Sequence, residues 1–396
     1  MARTIFFLID GLADKGFNTP LKNAKTPNIS KLLNKSFLSQ ILPLSKKEWP
    51  KTGEGSVTPL ANLGILGYKN LKNVKRGPLE AIGSNVKFKN GHLALRVDFA
   101  TVDKNLKVLD RRAGRNTYGL DIVSKEINFL KFKVPFYFKR IYGHRGVLIF
   151  KKNLSSHIKD SDPYQINKKV IKVSALKNDF LSLKTAELVE EFLKSAHLFL
   201  NNHPINKKRE KLKIPKANYL LTREAGNFLP KLNNFFKTFK IKNGLVIAEN
   251  GAFKGTCKLA GFKEETVPEI KDFKTRYKFY KNKILENEKK YILIYLHLKE
   301  ADEASHDKNF FKKKEYIEFF DKWFGDLIKK LQTNPSFIIT CDHLTDSKSG
   351  KHLWGPVPIL VINNPNFESN HPKEFSEREA EKFKKIMKVE NLWLNL

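Results

Sequence analysis

Asp10-Gly11 closes the apolar run Thr4–Ile9, Asp302 and His306 come shortly after the run Tyr291–Leu296, Asp342-His343 directly follow Phe337–Thr340, and His352 lies just before the run Val357–Ile362. Carboxylate oxygens and imidazole nitrogens together suit zinc, manganese and similar divalent ions. Three Asp and three His suffice for two ions if a nucleophile or substrate oxygen completes the coordination, an arrangement that clamps a transferring phosphoryl group. Taken singly, an Asp at a strand end is ordinarily a helix cap, and a lone His is ordinarily packed or at the surface. Six such residues, each beside an apolar run, point instead to one shared site.

A nucleophile is expected nearby. The segment Gly53-Glu54-Gly55-Ser56-Val57-Thr58-Pro59 runs into the apolar Leu60-Ala61-Asn62-Leu63. A hydroxyl at a helix start gains from the helix dipole and, if bound to a metal, from a lowered pKa. Spacing does not choose between Ser56 and Thr58, and either also suits a helix cap.

The elements that must position these residues can be read from the apolar pattern. Thr4–Ile9 has no alternation, as in a strand buried on both faces of a parallel sheet, and ligands in such sheets bind at the carboxyl ends of strands. Thr26-Pro27 before Ile29, Leu32 and Leu33 predicts a capped helix with Pro in its first turn. From about residue 74 to 150 short alternating segments such as Leu93–Phe99 predict a smaller antiparallel or mixed domain. Thr185–Asn202 predicts an amphipathic helix, and the basic stretch Asn201–Lys213 a loop or linker. Strands are expected again at Tyr219–Leu221, Gly244–Ala248, Tyr291–Leu296, Phe337–Thr340 and Val357–Ile362, and a long helix bearing Tyr316, Phe320, Trp323, Leu327 and Leu331 lies among them.

Composition narrows the partners. The 396 residues include 31 Phe, and 41% are apolar, which excludes disorder for the bulk of the chain. No apolar run approaches the ~18 residues of a membrane span, and the first is too short for a secretory signal, so no membrane partner and a cytoplasmic location are expected. Cys257 and Cys341 are expected as buried thiols. The charge of +33, from 74 Lys plus Arg against 41 Asp plus Glu, would attract polyanions. The lysines are spread along the whole chain, however, and no nucleic-acid partner is expected.

Further motifs stand in order along the chain: Leu8-Ile9-Asp10-Gly11-Leu12-Ala13-Asp14, Ala61-Asn62-Leu63-Gly64-Ile65-Leu66-Gly67-Tyr68, Arg76-Gly77-Pro78-Leu79-Glu80-Ala81-Ile82-Gly83, Asp98-Phe99-Ala100-Thr101-Val102, Asp110-Arg111-Arg112-Ala113-Gly114-Arg115, Ala301-Asp302-Glu303-Ala304-Ser305-His306-Asp307, Asp342-His343, and Lys351-His352 to Pro356-Val357-Pro358. With these the sequence resembles the archaeal-type branch of the cofactor-independent phosphoglycerate mutases, within the alkaline phosphatase superfamily, over nearly its whole length. The resemblance implies an α/β fold: an alkaline-phosphatase-like three-layer domain with a mostly parallel sheet, formed by residues 1–75 plus 245–396 and interrupted by a smaller α+β substrate-binding domain at 76–244. It implies that Asp302, His306 and His352 hold one divalent ion (Mn, Mg, Zn or Co), and that Asp10, Asp342, His343 and the nucleophile hold a second. The family usually reads Gly-Ser-Asp where this chain has Val57-Thr58-Pro59, so Thr58 takes the place of the serine and ranks ahead of Ser56.

Arg111, Arg112 and Arg115, with Arg96 and Asp98, supply guanidinium forks suited to a carboxylate and a phosphate, and Arg223 and Lys254 also resemble family positions. The implied reaction interconverts 3-phosphoglycerate and 2-phosphoglycerate through a phosphoenzyme, as a step of glycolysis and gluconeogenesis. Another two-metal phosphohydrolase or phosphomutase of the superfamily is the alternative.

Overall fold

A computed structural model describes residues 3–50, 57–249, 251–384 and 386–396, the Lys72 side chain excepted. The chain divides into two compact units, residues 1–73, 231–249 and 256–396, and residues 74–230 with 250–255. Residues 231–244, grouped with the insertion in the sequence reading, pack in the first unit. There Phe235 stacks edge-on against Trp393 and lies 5.4 Å from the ring of Phe262.

Among the described residues, the first unit is built on an eight-stranded sheet. Its centre is the unbroken apolar strand Thr4–Ile9, paired in parallel with Leu293–Leu298 on one side and Ser336–Thr340 on the other. Gly244–Ile247 and then Lys263–Glu265 extend the parallel run beyond Leu293–Leu298. On the far side Val357–Ile362 and Ser36–Ile41 join antiparallel, and Ile386–Met387 pairs parallel at the edge. Both faces are covered, as parallel sheets require. On one face Phe7 meets Phe320, Trp323 and Phe324 of the helix Phe310–Lys330, with ring centroids 5.5 to 5.9 Å apart. On its own strand the neighbouring Phe6 stacks on Trp393 at 5.4 Å. Burying such a ring stabilises by roughly 2–3 kcal/mol.

The helix at Thr26-Pro27 is only Pro27–Ser30, and Thr26 does not cap it. Asp321 does so from the long helix, accepting from the Asn28 and Ile29 amides at 3.1 and 2.8 Å. A buried carboxylate from a packed neighbour satisfies those donors better than the adjacent hydroxyl.

The second unit holds a five-stranded antiparallel sheet centred on His92–Val102, which pairs with Arg145–Asn153, Tyr219–Gly226 and Val108–Asp110, with Phe136–Tyr142 outermost. The alternation of Leu93–Phe99 is misleading, because this strand is buried on both faces. The amphipathic helix begins earlier than its pattern, at Phe180, and seats Phe192 against Phe150 and Phe136. The expected linker after it is a correction: Pro204–Lys211 is a helix. Pro204 suits its first turn, His203 Nδ1 accepts from the Ile205 amide at 3.1 Å, and the buried Arg209 donates to the carbonyls of Ala113, Tyr118 and Pro215. A run of basic residues thus hides one that ties two loops together.

Candidate metal centre

Adjacent parallel strands end side by side, so the residues that follow them converge. Asp10 comes off the central strand, and its neighbours deliver Asp302 and His306, on the helix Glu300–His306, and Asp342-His343. His352 reaches the same place on a two-stranded ribbon in which it pairs with Thr345. Two groups result, Asp10 with Asp342 and His343, and Asp302 with His306 and His352; in each, one ligand atom per residue lies within 4.8 Å of the others. All six strand-end residues of the sequence reading are therefore brought together.

In the first group His343 Nε2 lies 3.2 Å from both Asp10 Oδ1 and Asp342 Oδ2. Among the described residues those two oxygens are buried without a hydrogen-bond partner. In the second, His306 Nε2 lies 3.3 Å from Asp302 Oδ2, and His352 Nε2 lies 3.4 Å from Asp302 Oδ1 and 3.1 Å from His306 Nε2. His306 Nδ1 is 2.8 Å from the Gly350 carbonyl, which only accepts, so Nδ1 carries a proton. Metal-ligating imidazoles are typically held this way, by a carbonyl on the ring nitrogen that does not bind.

The charges of the site call for a cation. Burial and the negative charges of Asp10 and Asp302 push the Asp342 carboxyl well above the usual carboxylate range. Burial and Asp302 act the same way on Asp10, but the neighbouring imidazoles of His297 and His343 hold it at about 2. Burial disfavours charge on His306, yet Asp302 raises it to about 9. One carboxyl raised and two lowered at close quarters, with imidazoles among them, are a donor set that divalent ions fit.

Thr58 stands in the first turn of the helix Val57–Ile65, largely buried, with Oγ1 3.4 Å from His343 Nε2. Ser56 lies outside the described residues. One turn on, Asn62 anchors this helix: it accepts from the Tyr295 hydroxyl at 2.7 Å and donates to Thr256 and Cys257. Both cysteines are free and buried.

The sequence reading missed two residues of this centre. His297 is buried on its strand with Nε2 3.3 Å from Asp10 Oδ2. The signal was a single polar residue inside a continuous apolar run, and the expected strand stopped one residue short of it. Thr345 bonds both groups and stands on a two-residue strand that carries no periodic signal.

The second unit gathers Arg96, Asp98, Arg111, Arg112 and Arg223, and adds His144 and Arg145, which the sequence reading passed over. Asp98 pairs with Arg223 and lies 3.4 Å from Arg96 and 3.6 Å from His144. Burial opposes its charge, but Arg223, Arg96, His144 and Arg145 hold its carboxyl well below the usual range. Arg111 makes a two-pronged pair with Asp162 at 2.9 and 2.7 Å, and Arg111 and Arg223 both lie over the Tyr164 ring. Burial together with Arg115, Arg145 and Arg111 lowers the Arg112 guanidinium. The cluster carries more cations than its carboxylates neutralise, which favours an anion. Lys254 stands in the helix Gly251–Ala260, in the part that packs with this unit.

A mixed sheet with carboxylates, imidazoles and a hydroxyl gathered at its strand ends defines an α/β protein with the donor set of a metal-dependent phosphoryl-transfer enzyme. Among its described residues no helix is long and apolar enough to cross a membrane. The family model for 2,3-bisphosphoglycerate-independent phosphoglycerate mutase matches residues 53–206. A mutase of that name from Methanocaldococcus jannaschii is 36% identical over 372 residues, covering 91% of this chain and 88% of the relative. One from Pyrococcus abyssi is 36% identical over 390 residues, covering 96% and 92%. The chain belongs to the 2,3-bisphosphoglycerate-independent phosphoglycerate mutases.

Solved structures agree on the fold. A protein of Pyrococcus horikoshii superposes with a TM-score of 0.74 at 28% identity, over 98% of this chain and 97% of its own. The cofactor-independent phosphoglycerate mutase of Thermoplasma acidophilum does so with 0.59 at 24%, over 99% and 98%.

Proposed function

We propose that this chain interconverts 3-phosphoglycerate and 2-phosphoglycerate through a phosphoenzyme on Thr58. The observation that carries the reading is the placement of the Thr58 hydroxyl beside the Asp10, Asp342 and His343 group. Asp10, Asp342 and His343 with Thr58 would hold one divalent ion, and Asp302, His306 and His352 a second. When bound, such ions lower the pKa of a coordinated hydroxyl and neutralise charge on a transferring phosphoryl group.

The chain's own residues do the rest. Thr58 Oγ1 gives up its proton and forms a bond to phosphorus as the bond from phosphorus to the glycerate oxygen breaks, and that oxygen takes up a proton in exchange. The glycerate turns, its other hydroxyl gives up its proton and attacks the phosphothreonine, and Oγ1 is released and takes a proton back. Arg96, Arg111, Arg112, Arg115, Arg223 and Lys254, with Asp98 fixing two of the guanidinium groups, supply the cations that recognise the substrate's carboxylate and phosphate. Keeping the glycerate bound between the two transfers separates mutase from hydrolase.

The test is to assay the manganese-loaded protein for both 2-phosphoglycerate and free phosphate starting from 3-phosphoglycerate. The reading expects isomer in large excess over phosphate. Phosphate as the main product would make the chain a hydrolase.

A further inference from the structure

Thr345 is buried, and its single hydroxyl touches both acidic groups. Oγ1 lies 2.9 Å from Asp302 Oδ1 and 3.1 Å from His343 Nδ1. A hydroxyl has one proton to give. As a ligand in the metal reading above, Asp302 is a carboxylate and can only accept. Thr345 therefore donates to Asp302 and accepts from His343, which places the ring proton of His343 on Nδ1. The Nε2 lone pair is then directed at Asp10 Oδ1 and Asp342 Oδ2, each 3.2 Å away. Lone pairs that close repel one another unless a cation lies among them.

We infer that Thr345 is a positioning residue for both metal groups at once: its hydroxyl sets the His343 tautomer that leaves Nε2 free to bind an ion, and it fixes Oδ1 of Asp302 in the neighbouring group. The inference rests on the metal reading of the site given above.

The threonine is held in place independently of its hydroxyl. Its amide donates to the Ala13 carbonyl at 3.0 Å, and its own carbonyl accepts from the buried Lys313 ammonium at 2.9 Å. Its backbone also pairs with His352 across the ribbon. Gly11 closes the remaining side, because a Cβ there would stand 2.5 Å from Thr345 Oγ1 and 2.8 Å from Asp302 Oδ1. Removing the hydroxyl alone should thus leave the backbone in register while freeing the ring and the carboxylate.

The experiment strips the full-length protein of metal and titrates it with Mn²⁺ by calorimetry, beside Thr345→Val and Thr345→Ser, with circular dichroism and thermal unfolding to establish that each is folded. Valine keeps the shape without the hydroxyl, and serine keeps the hydroxyl without the methyl group. The expected result is a loss of roughly 10- to 100-fold in Mn²⁺ affinity for T345V, with T345S close to the unmodified protein. Should valine fail to fold, Thr345→Ala against Thr345→Ser gives the same comparison. If T345V binds like the unmodified protein, or if T345S falls as far as T345V, the inference is overturned while the metal reading stands. An unmodified protein that takes up no Mn²⁺ overturns the metal reading and the inference with it.

Discussion

The Thr58 hydroxyl lies 3.4 Å from His343 Nε2, joining the first turn of one helix to the end of a strand almost three hundred residues later. Nothing in the local sequence of either residue requires this meeting. It follows from the strand order, which sets Ser336–Thr340 beside Thr4–Ile9 so that Asp342-His343 emerge next to Asp10. The hydroxyl is consequently presented to two carboxylates and an imidazole whose charges are not balanced among themselves.

Two divalent ions per chain are expected at saturation. Protein treated with chelator, dialysed against manganese and then freed of excess should contain close to two ions by elemental analysis, and Asp302→Asn with His306→Ala should leave close to one. A saturated stoichiometry near one for the unmodified protein would contradict the two-ion site.

Gly11→Ala should impair metal binding although it replaces no ligand. Gly11 has φ +59°, and a side chain there would intrude between Thr345 and Asp302. The left-handed conformation alone costs a non-glycine residue roughly 1–2 kcal/mol. A lowered melting temperature together with weaker Mn²⁺ binding is expected, and a variant unchanged in both would show that the packing around Asp302 is looser than described.

Arg112→Ala should weaken substrate use far more than metal binding, because the Arg112 side chain is surrounded by cations of the second unit and not by the metal groups. Steady-state kinetics would read this as a change of about tenfold or more in kcat/KM with the Mn²⁺ titration unaltered. Unchanged kinetics would remove Arg112 from substrate recognition.

Acid should destabilise the second unit through Asp98. Its carboxyl is held below the usual range by Arg223, Arg96, His144 and Arg145 against the effect of burial. A group whose pKa is lower folded than unfolded contributes stability above the unfolded value of about 3.9 and loses it as pH falls through the folded one. Melting temperatures measured downward from pH 6 should therefore fall more steeply for the unmodified protein than for Asp98→Asn, which carries no such proton linkage. Parallel curves would place the acid sensitivity elsewhere.

Much of the centre was legible because a buried parallel strand is a continuous apolar run and its end is marked by the first charged residue, as at Asp10 and Asp342. What depends on tertiary pairing was not. Arg145 meets Asp98 only through the register of two antiparallel strands, which no local pattern encodes. Thr345 owes its place to a two-residue ribbon and to the buried Lys313 beneath it. Arg209 was lost in a run of exposed lysines because charge alone does not reveal which member of a basic helix faces inward. His297 could have been found by carrying the strand to its last apolar residue, Leu298.

The central claim is that Thr58 carries the phosphoryl group. The enzyme, loaded with manganese and supplied with 3-phosphoglycerate, can be quenched in acid within its first turnovers, digested, and its phosphopeptides sequenced by mass spectrometry. The expected result is phosphate on Thr58, absent in Thr58→Ala and restored as phosphoserine in Thr58→Ser. Phosphate on Ser56, or mutase activity persisting in Thr58→Ala, would contradict the account.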